Sequence, residues 1–196
     1  MDMTYGALVL AGGNARRMAG ANKALLQWER RTFLSRLEEA LQGFDEKFLS
    51  ARDPALAEHT AFRPILDRVP GRGPLEGLYR ALSACRSDAL LVVACDMPLF
   101  SAGLAQALID AAPGLDALVC RDRTGRIHPL CGVYTKACLP VVERLLETGD
   151  LRVRQVLEQT HSGTLDLGDT AFPDTVLTNV NTPEQLHALL RGEPLT

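Results

Sequence analysis

Apolar residues along the chain fall into short, nearly unbroken runs separated by stretches of helical period. Tyr5–Leu10, Glu46–Ala51, Arg63–Asp67, Leu90–Ala94 and Asp116–Cys120 read as strands. The runs before Gly12 and before Cys95 carry almost no polar position, the pattern of strands covered on both faces. Between them Leu34, Leu37, Leu41 and Phe44 recur at helical spacing, as do Leu75, Leu78 and Leu82, and then Leu104 and Leu108 with Ile109. Strand–helix alternation of this kind predicts βαβ units: an α/β fold of three layers, with a mostly parallel sheet and helices on both faces.

The rhythm changes after residue 120. Arg121–Arg126 is a polar turn, Leu130–Tyr134 reads as a strand, and Lys136–Glu147 and Arg152–Gln159 read as helices. Thr164–Leu167 and Thr175–Thr178 are short β candidates. A closing helix starts at Pro183, with Thr182 as its N-cap and Gln185 three residues after the cap. No repeat, low-complexity tract or linker interrupts the pattern, so residues 1–196 read as one domain.

Composition narrows the function classes. The 196 residues carry a formal net charge of −3, and the pI is near 5.8. A long polyanion would not be held by such a surface, which argues against a nucleic-acid binder. No apolar run approaches the roughly 20 residues of a membrane span, and the N-terminus lacks a signal-like basic stretch. The five cysteines are odd in number and lack CxxC spacing, which suits reduced thiols in a cytoplasm rather than a disulfide framework or a zinc site.

In open α/β sheets ligands bind beyond the carboxyl ends of the strands. The first such segment is Leu10-Ala11-Gly12-Gly13-Asn14-Ala15-Arg16-Arg17-Met18-Ala19-Gly20-Ala21-Asn22-Lys23. Gly12 and Gly13 allow a sharp turn and bring N–H groups close to an anion. Arg16, Arg17 and Lys23 concentrate cations in an otherwise acidic chain, which suits a triphosphate. Neither G-x-G-x-x-G nor G-x-x-x-x-G-K-[ST] is present. A surface turn with solvated arginines is the bland alternative. Asp96, directly after the buried run Leu90–Ala94, is costly unless a cation meets it, and it suits a Mg²⁺ bound jointly by carboxylate and phosphate. An Asp capping the helix near Ser101 is the competing reading. Cys95 reads as core packing, because no partner base is evident.

These segments resemble the molybdenum cofactor guanylyltransferases, within the nucleotidyltransferases of Rossmann-like fold. The likeness runs from Leu10 to Leu186: L-A-G-G-x-x-x-R-M-x-G-x-x-K at Leu10–Lys23, an aspartate at Asp67 followed by G-P-L-x-G at Gly73–Gly77, C-D-x-P at Cys95–Pro98, and N-x-N-T-P-E at Asn179–Glu184. Departures are Ala19 where the family has Gly, Asn22 where it has Asp, and Ser50-Ala51-Arg52 where an Asn is usual.

The resemblance implies that Leu10, Ala11, Gly12 and Gly13 contact the nucleotide through main-chain atoms, and that Arg17 and Lys23 hold its phosphates. Asp67, Gly73 and Pro74 would contact the nucleotide as well, with Gly73 to Gly77 closing around the base. Asp96 and Asn181 would hold Mg²⁺, with Asn179 in reserve, and Arg17, Lys23 and Asp96 would be the catalytic set. His128 and Arg152 are weaker candidates on the acceptor side. The implied reaction transfers GMP from GTP to molybdenum-bearing molybdopterin and releases pyrophosphate. Proteins that deliver or receive the cofactor are further candidate partners. Two alternatives stand beside it. One is a cytidylyltransferase for the same cofactor, although such relatives tend to read L-A-A-G and lack G-P-L-x-G. The other is a nucleotide-binding protein without catalysis, which the presence of Arg17, Lys23 and Asp96 disfavours.

Overall fold

A computed structural model describes residues 3–12, 23–66, 69, 71–191 and 193. In chain order its elements are β1 (Tyr5–Leu10), β2 (Gln27–Trp28), β3 (Arg31–Thr32), α1 (Phe33–Ala40), β4 (Lys47–Ser50), β5 (Arg63–Ile65), α2 (Gly73–Ala84), β6 (Ala89–Ala94) and α3 (Ala102–Ala111). They continue with β7 (Ala117–Arg121), β8 (Ile127–Thr135), α4 (Leu139–Thr148), α5 (Arg154–Glu158), β9 (Ser162–Asp166) and α6 (Pro183–Arg191). Seven of the strands form one sheet in the order β5-β4-β1-β6-β8-β7-β9, in which β8 alone runs against the others. The expected mostly parallel, three-layer arrangement is present.

Side-chain alternation divides the core into two layers. Ala7, Val9, Leu91 and Val93 face a layer with Leu34, Leu37 and Leu41 of the α1 segment and Leu104 and Leu108 of α3. Leu8, Leu10, Leu90 and Val92 face the other, with Leu75, Leu78 and Leu82 of α2 and Val142 and Leu146 of α4. Both runs flagged as doubly covered are therefore buried on both faces.

The crossovers β1-α1-β4 and β6-α3-β7 lie on the same face but step in opposite directions across the sheet. They must therefore have opposite hands, and one of them takes the hand that parallel connections rarely adopt. As a result the chain leaves the carboxyl ends of β1 and β6 toward a single layer. Residues from the two loops can then meet.

Three sequence expectations are corrected. Thr175–Thr178 is not a strand: Asp174–Leu177 is a 3₁₀ turn. A strand would send Val176 and Leu177 to opposite faces, whereas the turn buries both in the α1/α3 layer. Phe44 lies beyond α1, which ends at Ala40 with Leu41 as its cap. Lys136–Glu147 divides into a 3₁₀ turn, Lys136–Cys138, and α4, which starts with Pro140 in its first turn. The β2–β3 hairpin had no turn signal, since Glu29 and Arg30 both adopt positive φ without glycine. It is held from outside: Arg36 stacks 3.8 Å from the Trp28 ring and donates to the Trp28 carbonyl.

At the opposite, amino edge of the sheet, Glu46 ties β4 to the turn before β6. Its carboxylate accepts from the Ser87 hydroxyl at 2.6 Å and from the N–H groups of Ser87 and Arg86 at 2.8 and 2.9 Å. Burial pushes this carboxyl up, but those hydrogen bonds outweigh it and hold its pKa down to about 2. A depressed carboxylate stabilises the fold above its unfolded value of 4.5 and loses that contribution as pH falls toward about 2. Glu46→Gln should therefore flatten the decline of Tm between pH 4.5 and 2 relative to the parent protein; parallel Tm profiles would contradict this role.

Candidate nucleotide and metal site

The site is assembled at the carboxyl edge, where β1 and β6 end side by side with Leu10 paired to Ala94. Main-chain bonds continue beyond the strands: Cys95 N–H donates to the Leu10 carbonyl at 3.0 Å and Ala11 N–H to the Ser50 carbonyl at 2.8 Å. These bonds fix the chain at Leu10 and Ala11 as it leaves β1. Gly13, Arg16, Arg17, Ala19, Asn22 and Asp67 lie outside the described residues.

Lys23 reaches Asp96 across the edge. Its ammonium stands 3.1 Å from Asp96 Oδ2, with the two side chains 17% and 14% exposed, and it also donates to Asn181 Oδ1. Asn179 Nδ2 donates to the other carboxylate oxygen, Asp96 Oδ1, at 2.7 Å. Asp96 is thus engaged by a cation and an amide. The competing capping role falls to Ser101, whose hydroxyl accepts from Leu104 N–H at 3.2 Å.

The N-x-N spacing has a physical reason. Alternating side chains of an extended segment place Asn179 and Asn181 on one side and Val180 on the other. Val180 is fully buried with Phe33 and Leu189 in a small satellite core, joined by Leu26, Trp28, Leu99 and Leu186. Its N–H bonds the Asp96 carbonyl at 2.8 Å. This cluster draws the Lys23 segment, the loop after β6 and the C-terminal segment to one point. Thr182 caps α6 by accepting from Gln185 N–H at 3.2 Å, while Gln185 Oε1 accepts from Asn181 N–H at 2.8 Å.

Asp96 Oδ2 and Asn181 Oδ1 face one cationic position. Two hard oxygen donors suit a small divalent ion that keeps its remaining positions for phosphate oxygens and water. Among the described residues no cluster of three His, Cys, Asp or Glu could hold a metal by itself. The donor set fits an ion brought in with a phosphate ligand. Asn179 spends its amide on orienting the carboxylate, so it supports the pair rather than joining it.

The start of α2 closes the site toward β4. Gly73 has φ +63°, a left-handed conformation that opens the helix ahead of Pro74. A Cβ at Gly77 would lie 2.4 Å from Ser50 Oγ and 3.0 Å from Leu10 Cδ2. The G-P-L-x-G spacing thus permits α2 to press onto the ends of β1 and β4. Ser50, the first residue of the Ser50-Ala51-Arg52 stretch, is itself buried under this contact. Glu76, buried in the first turn 3.8 Å from Arg72, carried no sequence signal beyond its place in that motif.

Two sequence candidates lie further along. His128 lies three residues before Cys131, which pairs with Val93 of the antiparallel β6, and Asp96 lies three residues after Val93. Both therefore lie toward the same edge on neighbouring strands. Burial pushes the Asp122 carboxyl up, but hydrogen bonds from the Thr124 hydroxyl, His128 and the N–H groups of Arg126 and Thr124 hold it well below the usual carboxylate range. An ionised Asp122 can only accept, so His128 Nε2, 2.9 Å away, carries the hydrogen. Arg152 instead pairs with its neighbour Asp150 on an exposed surface. Cys95 is buried, which with the adjacent Asp96 charge raises its thiol to about 12; it is packing.

Comparison with known proteins identifies the family. The family described as the MobA-like NTP transferase domain matches residues 7–164. A Methanosarcina mazei protein named "Probable molybdenum cofactor guanylyltransferase" is 40% identical over 156 residues, 73% of this chain and 69% of that one. A protein of the same name from Geobacillus sp. is 32% identical over 185 residues, 91% and 94% of the two chains. The crystal structure of molybdopterin-guanine dinucleotide biosynthesis protein A from Archaeoglobus fulgidus superimposes with TM-score 0.80 at 23% identity, covering 96% of this chain and 97% of that one. Gly77→Ala should destabilise the fold by about 1–3 kcal/mol through overpacking against Ser50 and Leu10, read as a lower urea midpoint; an unchanged midpoint would show that α2 does not need this contact. The chain is a nucleotidyltransferase and belongs to the MobA-like NTP transferase domain family, among the molybdenum cofactor guanylyltransferases.

Proposed function

We propose that the chain, acting as one nucleotidyltransferase domain, transfers GMP from GTP to the terminal phosphate of molybdenum-bearing molybdopterin and releases pyrophosphate. The observation that carries this reading is the convergence of Lys23, Asp96 and Asn181 beside the end of β1, where Cys95 N–H bonds the Leu10 carbonyl. The GTP preference is supported by Gly12-Gly13 and by the Gly73–Gly77 motif, which favour guanylyl over cytidylyl transfer. The names of the relatives point the same way. Proteins that supply the acceptor or take the product are proposed partners, and the cytoplasm is the proposed location. Among the described residues no helix is long and apolar enough to cross a membrane.

In this mechanism the N–H groups of the glycine turn, together with Arg17 and Lys23, hold the triphosphate; Asp67, Gly73 and Pro74 complete the nucleoside contacts. Asp96 and Asn181 would hold Mg²⁺, which when bound neutralises charge on the phosphate oxygens. An acceptor phosphate oxygen, already anionic, attacks the α-phosphorus while the bond to pyrophosphate breaks. No protein base has to remove a proton. Lys23 and Arg17 stabilise the negative charge that accumulates in the transition state, so catalysis is positioning and electrostatics. His128, oriented by Asp122, lies on the side assigned to the acceptor.

Pyrophosphate release measured with each of the four nucleoside triphosphates and the pterin acceptor should favour GTP; preference for CTP would overturn the choice of donor. Asp96→Ala should lower kcat by about a hundredfold or more with little change in Tm, and full Mg²⁺-dependent turnover in that variant would refute its role. Asn179→Ala, which frees one carboxylate oxygen, should weaken the Mg²⁺ dependence of the rate by about 10- to 100-fold, seen as a shifted metal titration; an unshifted titration would remove Asn179 from the site.

A further inference from the structure

We infer that Lys23 is the resident cation of the metal position when nucleotide is absent, and that its ammonium leaves for the phosphates when a divalent ion takes up Asp96 and Asn181. The inference deepens the guanylyl-transfer reading above and rests on it for the identity of the phosphate ligand. Its basis is that one ammonium is hydrogen-bonded to both oxygens of the proposed metal pair, Asp96 Oδ2 at 3.1 Å and Asn181 Oδ1. A residue serving only the phosphates would have no need of these partners.

Two cations cannot share that position. At hydrogen-bonding distance the ammonium neutralises the carboxylate on which a divalent ion depends, and the partly buried setting strengthens the competition. A metal arriving alone must therefore expel Lys23 from its only anionic partner among the described residues. A metal arriving with a polyphosphate offers the ammonium a replacement anion.

The exchange is confined to the side chain. Ala24, the next residue, is fully buried in the α1/α3 layer, and the Lys23 carbonyl is held by Leu26 N–H at 3.2 Å. The backbone at Lys23 is anchored, and rotation about the lysine stem moves the charge. Asn179 keeps Asp96 Oδ1 in place throughout, because its bond is independent of the ammonium. Metal and polyphosphate should consequently bind with positive coupling, each raising the affinity for the other by the same factor.

The test is a titration of the full chain with Mn²⁺ alone, followed by electron paramagnetic resonance, comparing the parent protein with Lys23→Met. The variant keeps an apolar stem and lacks the charge. It should bind Mn²⁺ about tenfold or more tightly than the parent, although it loses phosphate contacts. Equal or weaker binding overturns the exchange. Because a poorly folded variant would also bind weakly, the parent protein supplies a second measurement: acetylation of Lys23 by acetic anhydride, read by mass spectrometry. Modification should be slow without metal and accelerate at high Mg²⁺; a rate indifferent to Mg²⁺ overturns the exchange. Neither arm uses GTP. Their failure in a protein that still binds Mg²⁺–GTP removes the exchange alone, whereas absence of Mg²⁺–GTP binding removes the functional reading too.

Discussion

A carboxylate at the end of a strand buried on both faces has to be met by a cation, and this requirement organises the molecule. Ionised Asp96 loses most of its water at the carboxyl end of β6, where desolvation without compensation would be costly. Its partners come from two distant parts of the chain: Lys23 from the segment after β1, and the C-terminal segment, which supplies the Asn179 amide and a main-chain bond from Val180. None of these contacts is local in sequence. The small core of Phe33, Val180 and Leu189 does the assembling, since burying Val180 turns the flanking asparagines toward the carboxylate.

The sheet supports this arrangement through two crossovers of opposite hand on one face. With α1 and α3 in one layer, Lys23 just ahead of α1 and Asp96 just after β6 meet at the carboxyl edge. On the other face, α2 approaches closely enough that Gly77 touches Ser50 and Leu10, which brings the glycine-flanked start of that helix beside the same edge. An acidic protein thereby holds the Lys23 ammonium beside the Asp96 carboxylate at this edge. Its thiols take no part: all five cysteines are free and buried.

The surroundings of His128 are shaped by an irregularity in β8. Pairing with β7 passes from Val119–Gly132 to Cys120–His128, so residues 129–131 bulge from the ladder. The Tyr134 hydroxyl donates to the Pro129 carbonyl at 2.6 Å and pins the bulge. Bulges redirect side chains near functional edges. Here it sets His128 against Asp122 at the edge that also carries Asp96.

Much of this was legible in the linear pattern, because it depends on local periodicity. The two doubly covered strands, the amphipathic helices and the Thr182 cap all follow from spacings of a few residues. Asp96 was legible for a related reason: a charge next to a long apolar run is conspicuous whatever the fold. The 3₁₀ turn at Asp174–Leu177 and the Glu29-Arg30 hairpin were not, since each is imposed by burial or stacking against remote residues. The roles of the asparagines show the division most clearly. Their alternation is written in the chain, but which of them orients Asp96 and which shares the Lys23 ammonium depends on where Val180 is buried. A one-dimensional pattern specifies which residues can share a face; only packing decides what that face meets.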